Sequence, residues 1–332
     1  MARFAALLLS VLFALPAAGE SWKPETVGIL AGQERIFRDD QTGSLKVRAK
    51  GRYFRLAASE QGLTLLPTSG PAPVRRPEDA IPHSKITGGS NDIAMAWLAD
   101  GTERYAHGVL GDDIEAAALR IRTSEGRDVR LALREEFVFE DLIPRLVDID
   151  DDGSDEILIV RSHRDAGAAL VLLGLRGNRL VRISESPAIG VPNRWVNPIA
   201  VADFDGDGAK EVAAVETPHI GGKLLLLEIE GRRLREVARY TGYSTHILGS
   251  TELEMFAVFD VNGDGVKDIV LPTQDRRELR AVSFAKGRLI VLATAKLFRP
   301  VTSALITEDL DRDGRLDLVF GDAGGYVNVI RR

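Results

Sequence analysis

Asp203, Asp205, Asp207 and Glu211 hold the first, third, fifth and ninth places of one short run, Asp203-Phe204-Asp205-Gly206-Asp207-Gly208-Ala209-Lys210-Glu211-Val212. Carboxylates this close repel one another and resist desolvation. A hard divalent cation resolves the conflict, and calcium takes roughly six to eight oxygens at 2.3–2.6 Å. The pattern occurs four times. The other copies hold Asp148, Asp150, Asp152 and Glu156; Asp260, Asn262, Asp264 and Asp268; and Asp309, Asp311, Asp313 and Asp317. The seventh place is Ser154, Ala209, Val266 or Arg315, which share no ligating side chain and offer a backbone carbonyl. The sixth is always glycine, which permits the positive φ of a tight wrap. These positions, in loops 148–156, 203–211, 260–268 and 309–317, are the expected ligands of up to four structural Ca2+ ions.

An EF-hand begins the same way but needs a glutamate at its twelfth place and helices on both sides. Here the twelfth residues are Ile159, Ala214, Leu271 and Phe320. Each loop instead runs into a short apolar stretch rich in β-branched residues, which reads as a buried strand. The last ligand therefore sits on the first residue of that strand. The copies begin 55, 57 and 49 residues apart. A period near fifty, made of short strands, suggests propeller blades.

On these loops the segment 148–321 resembles the FG-GAP or VCBS repeats, relatives of the integrin α-chain propeller. The resemblance implies an all-β fold, a single calcium-binding β-propeller of four-stranded antiparallel blades. Chain length over period gives about six blades, with seven short ones as the alternative. The final repeat holds only two strands, around 318–321 and 326–330. Strands from 22–66 are expected to close the ring by pairing beside Tyr326–Ile330, since an open edge is a liability.

Composition agrees with a folded extracytoplasmic protein. The chain has 332 residues, 45% hydrophobic and 28% charged, with no cysteine. Disulfides and thiolate metal sites are thereby excluded. The net charge of −6 is carried by the acidic loops and gives no reason to expect a basic partner. Residues 1–19 read as a signal peptide, with Arg3, an apolar core and Ala17-Ala18-Gly19 as a cleavage site. The domain is then 20–332, periplasmic or secreted, with no membrane-spanning segment after cleavage.

From 148 onward each repeat reads as four strands joined by short glycine-containing turns such as Arg176-Gly177-Asn178 and Glu230-Gly231-Arg232. The first strands of the later repeats are expected over 253–259 and 301–307. Residues 67–82 hold five prolines and read as an exposed loop without regular structure. The stretch 107–116, with Glu115 at the ninth place but no acids at the first, third or fifth, reads as a degenerate blade start that binds no calcium. Trp97 and Trp195 read as packing residues.

A second site is expected at the turns opposite the acidic loops. Arg161, His163 and Arg164, then His219, then Asp275, Arg276 and Arg277 fall there. His163 and His219 lie 15 and 16 residues after the first place of their loops, a spacing that sets them across a ring mouth. With the arginines they offer a site for an anion or a sugar acid. His83, His107 and His246 have no evident partners in sequence. No Gly-x-Ser-x-Gly elbow, His-Glu-x-x-His pair or phosphate-binding glycine loop occurs, and no basic aromatic patch suggests nucleic acid. The expected function is an exported binding or scaffold module for a protein or carbohydrate. A secreted hydrolase or lyase acting at the ring mouth is the alternative, because some calcium propellers are phytases or polysaccharide lyases. No catalytic residue matches either kind of enzyme.

Overall fold

The computed structural model describes residues 19–30, 32–39, 41–59, 62–73, 75–285 and 287–332. The expected signal peptide, apart from Gly19, lies outside the described residues. Every regular element among them is a β-strand. No helix among them is long and apolar enough to cross a membrane.

The strands form six antiparallel four-stranded meanders. The first runs Gln33–Arg38, Leu45–Ala49, Arg52–Ser59, Gly62–Thr68. The second runs Thr87–Gly88, Ile93–Thr102, Glu115–Thr123, Asp128–Ala132. In the third, Arg145–Val147 precedes Glu156–His163, Gly167–Arg176 and Arg179–Glu185, and Phe137–Phe139 covers the far half of Glu156–His163. The fourth runs Val196–Ala202, Glu211–Glu216, Lys223–Glu230, Arg233–Thr241, and the fifth Ala257–Phe259, Asp268–Pro272, Glu278–Ser283, Ile290–Lys296, with the two-residue strand Glu20–Ser21 added parallel to its last edge as a fifth strand. The sixth is Ile306–Glu308, Asp317–Gly321, Tyr326–Ile330 and, from the other end of the chain, Glu25–Ile29. Thr26 sits opposite Asn328, so an N-terminal strand does lie beside Tyr326–Ile330. The second, third and fourth meanders are joined into one sheet only by single residue pairs, Phe139 with Ala116 and Glu185 with Arg233. None of the four sheets closes on itself through hydrogen bonds.

The second strand of each acidic repeat explains the apolar runs. Ile157–Val160, Val212–Val215, Ile269–Leu271 and Leu318–Phe320 are at most 1% exposed. Both faces are buried, so alternation with polar residues disappears. Alternate residues serve different cores. Val212 and Ala214 pack toward the second and third meanders, whereas Ala213 and Val215 pack with Ile269 and Leu271 of the fifth. Val270 packs with Leu318 and Phe320, and Val319 packs with Ile36 and Val47 of the first meander. The meanders thus stack face to face in the order second, third, fourth, fifth, sixth, first. A cavity of about 820 Å³ is lined by the first strands of the first, fourth, fifth and sixth meanders, through Phe37, Ala200, Val258 and Ile306, together with His83–Ile86.

Three expectations are corrected. Strand Gly62–Thr68 runs through Pro67, which lies opposite Phe54. It is an edge strand, where a missing N–H costs no ladder bond. The segment 107–116 does not start a blade. It fills the long connection between the second and third strands of the second meander, at the end opposite the acidic loops. The counterpart of an acidic loop in that meander is 89–92, between its first two strands. The first strands of the fifth and sixth meanders are short, Ala257–Phe259 and Ile306–Glu308, because the preceding residues cross between meanders. Trp97 and Trp195 are buried, as packing residues should be.

Candidate functional site

The four acidic loops join the first two strands of the third to sixth meanders. Each is folded by the same side-chain-to-backbone bonds. The first-place aspartate accepts from the sixth-place glycine: Asp148 from Gly153 at 2.9 Å, Asp203 from Gly208 at 2.9 Å, Asp260 from Gly265 at 2.8 Å, Asp309 from Gly314 at 3.1 Å. The fifth-place aspartate accepts from the seventh-place N–H in every copy, at 2.7–2.9 Å. The ninth-place acid reaches back to the second-place N–H, as Glu211 does to Phe204 at 2.9 Å and Asp268 to Val261 at 2.8 Å. The loop therefore curls around its own carboxylates. Two left-handed residues allow it. The sixth place has φ between 82° and 93°. The fourth place is also left-handed, at Asp151, Gly206, Gly263 and Arg312, with φ from 56° to 84°.

In three loops acid oxygens from separate residues come within 4.8 Å of one another: Asp148, Asp150 and Glu156; Asp203, Asp205 and Glu211; Asp309, Asp311 and Asp313. The third loop departs from this. Asn262 replaces an acid and its amide donates to Asp264 at 3.0 Å, while one oxygen of buried Asp268 has no hydrogen-bond partner. The ninth-place acids are buried in every copy. Burial, with help from the neighbouring aspartates, pushes Glu156 and Glu211 up to about 7, against the backbone bond each accepts. Burial also raises Asp268 and Asp317. A convergent set of hard oxygen donors, held where burial and like-charged neighbours favour protons, fits a hard divalent cation.

The first two acidic loops and 89–92 are tied through the eighth place. Lys210 donates to the Asp148 carbonyl at 2.8 Å and to Asp151 at 2.5 Å. Asp155 accepts from the Asn91 and Ile93 backbones at 2.9 and 3.3 Å, and its own N–H donates to Asp92. Loops 148–156 and 203–211 and the turn 89–92 are therefore linked to one another.

At the opposite end the expected residues go to different neighbours. Arg161 pairs with Glu185 and lies 4.3 Å over the Phe137 ring. His163 packs edge-on to the same ring at 4.9 Å. Arg164 is exposed, 3.5 Å from Asp165. His219 packs against His246, with ring centroids 6.0 Å apart. Asp275 accepts from Thr273 and from the Arg277 backbone, and Arg277 holds the Phe298 carbonyl at 2.7 Å. Arg276 is left-handed at φ 58°, and burial lowers its pKa.

A buried polar cluster at this end is assembled from residues that no sequence motif links. Glu140 is fully buried and binds both His107 and Ser162. Its carbonyl accepts from the Trp195 indole at 2.8 Å, and Trp195 packs against His246 with the rings tilted by 60° and their centroids 4.9 Å apart. Glu115 lies beside His107, accepting from its backbone at 3.4 Å, and burial lifts it to about 7. Burial likewise raises Glu140 and Tyr105 and lowers His246 to about 4. His107 and Glu140 are 33 residues apart in different meanders, so no short motif could link them.

Residues 148–214 match the FG-GAP-like repeat, so the chain carries an FG-GAP-like repeat across its first two acidic loops. No curated protein sequence matches the chain. Among solved structures it is similar to the exotype rhamnogalacturonan lyase YesX, at 14% identity and TM-score 0.45, over 85% of this chain and 54% of that one. It is also similar to Bacillus licheniformis rhamnogalacturonan lyase PL11, at 13% identity and TM-score 0.43, over 84% and 54%. The chain spans about half the length of each lyase.

Proposed function

We propose that residues 20–332 form one exported β-propeller of six four-stranded blades, closed by the N-terminal strand, with calcium as a structural cation. Its task is to bind or scaffold a protein or carbohydrate in the periplasm or outside the cell. The observation that carries the reading is the repeated loop, in which the same carboxylates curl onto the same backbone groups in four successive meanders. The shared cavity between first strands is what a ring would place at its axis. Three loops with convergent acids are the stronger calcium sites, and 260–268 is the weaker one. Ligand recognition falls to the opposite end, with Arg161, His163, Arg164, His219, Asp275, Arg276 and Arg277 as candidates.

Extracellular calcium sites have Kd near 10⁻⁴–10⁻³ M, so about 1 mM calcium adds roughly 0.4–1.4 kcal/mol per site. Removing it with a chelator is expected to lower the melting temperature by the equivalent of about 1–4 kcal/mol for three sites. Magnesium should restore less than calcium, since it demands a tighter octahedral shell. An unchanged melting curve on chelation would count against structural calcium. A glycan and protein binding screen on the calcium-loaded protein tests the binding role.

A hydrolase or lyase is the second reading, favoured by the Glu115, Glu140 and His107 cluster, in which two raised carboxyls lie beside a histidine. Turnover of an acidic polysaccharide, abolished by Glu115→Gln, would establish it over the binding role.

A further inference from the structure

Phe298 is the most exposed large hydrophobic residue described, at 82%. It stands where the fifth meander crosses to the sixth, at the end opposite the acidic loops. The next residue, Arg299, places its guanidinium over two rings, 4.8 Å from Phe298 and 4.3 Å from Tyr326. Aromatic faces attract and fix a guanidinium in this way.

The stack is built into the backbone. Gly324 does not have the left-handed φ that would by itself call for glycine. A Cβ there would come within 2.6 Å of Arg299 and 2.8 Å of Tyr326. Arg277 holds the Phe298 carbonyl, and the Ala323 N–H donates to the Pro300 carbonyl at 2.9 Å, so both strands of the site are pinned.

No hydrogen bond or ion pair of the Arg299 side chain occurs among the described residues, although a guanidinium carries five N–H donors. The acids of the adjoining turns are used elsewhere. Asp322 accepts from the Gly324 and Tyr326 backbones and from Asn328. Asp275 accepts from Thr273 and the Arg277 backbone. A cation is thus fixed in orientation, left without a counter-ion and set beside an open ring.

We propose that Arg299, Phe298 and Tyr326 form a recognition site for the carboxylate of an acidic glycan, a uronic acid residue whose carboxylate meets the guanidinium fork while its C–H face covers Phe298. A planar bidentate carboxylate suits the fork. In a uronate the carboxyl is attached directly to the sugar ring, so ring and carboxylate need platform and cation side by side. An aspartate or glutamate side chain on a flexible stem has no such need. The inference rests on the carbohydrate-binding reading above and specifies its chemistry.

The test is calorimetric titration of the calcium-loaded full chain with trigalacturonate, its methyl ester, a neutral maltotriose and polyglutamate. Trigalacturonate should bind. Esterification, Arg299→Gln and Arg299→Lys should each weaken binding roughly tenfold or more, since a charge-assisted bidentate contact is lost. Phe298→Ala should weaken it less. Gly324→Ala, by displacing the stack, should weaken it without removing any contacting side chain. Equal binding of trigalacturonate to Arg299→Gln and to the unaltered protein, with an unchanged melting temperature, would overturn this site and leave glycan binding standing. So would equal binding of the ester. Binding of polyglutamate alone would assign the site to an acidic protein instead. Failure of every glycan would overturn both this site and the carbohydrate reading.

Discussion

The two ends of the molecule handle buried charge in opposite ways. At the acidic-loop end, carboxylates converge on one another with backbone N–H groups as their hydrogen-bond partners. At the other end, Glu140 is satisfied from within by His107 and Ser162. The acidic loops crowd carboxylates against one another, whereas Glu140 finds both its side-chain partners within the protein. The same residue type, a buried acid, can thus mark a ligand site or a structural tie. Its partners decide which.

Glu140→Ala leaves His107 and Ser162 without their acceptor. It should destabilise the protein by about 3–5 kcal/mol, because one half of a buried pair is left uncompensated. The loss in denaturant unfolding should be the same with calcium as with chelator. A loss that appeared only with calcium would erase the distinction between the ends.

Acid should expose the same end. Burial lowers His246 to about 4 from its ordinary 6.5, with His219 and Arg276 adding to the effect. A histidine of this kind contributes stability above 6.5, and the contribution drains away as pH falls toward 4. Glu115 works in the opposite sense, since its raised pKa favours the folded state below about 7. The difference between His246→Gln and the unaltered protein therefore isolates the histidine. Relative to its value at pH 7.5, that difference should shift in favour of the variant by about 3 kcal/mol at pH 4, read from urea unfolding. No shift would mean that the histidine is protonated in place.

The smallest effect distinguishes one loop from another. Asp205→Asn gives the second loop the asparagine that the third has at Asn262. It should reduce calcium-dependent stabilisation by about 1 kcal/mol or less. The protein in chelator should melt as before. Asn262→Asp should give a gain of similar size, visible as a tighter calcium isotherm.

Much of the acidic end was legible because its chemistry is local. First, third, fifth and ninth places lie within one turn of chain, and the following apolar run announces the strand. The fourth place was not legible, because Asp151, Gly206, Gly263 and Arg312 share a left-handed φ but no residue type. Two glycines there were the only signal. The stretch 107–116 misled because one acid at the right place imitates a loop when its register to the strands is unknown. Pro67 misled because an edge strand tolerates proline and a sequence does not declare its edges. The Glu140 cluster and the Arg299 stack are assembled from separate meanders, so they appear only when the strands are stacked.

The most direct test of the central claim is anomalous diffraction from crystals grown in calcium. Peaks are predicted within the rings formed by Asp148, Asp150, Asp152 and Glu156, by Asp203, Asp205, Asp207 and Glu211, and by Asp309, Asp311, Asp313 and Asp317, with a weaker peak at Asp260–Asp268. Calcium-loaded crystals with no peak at any of these loops would contradict the account.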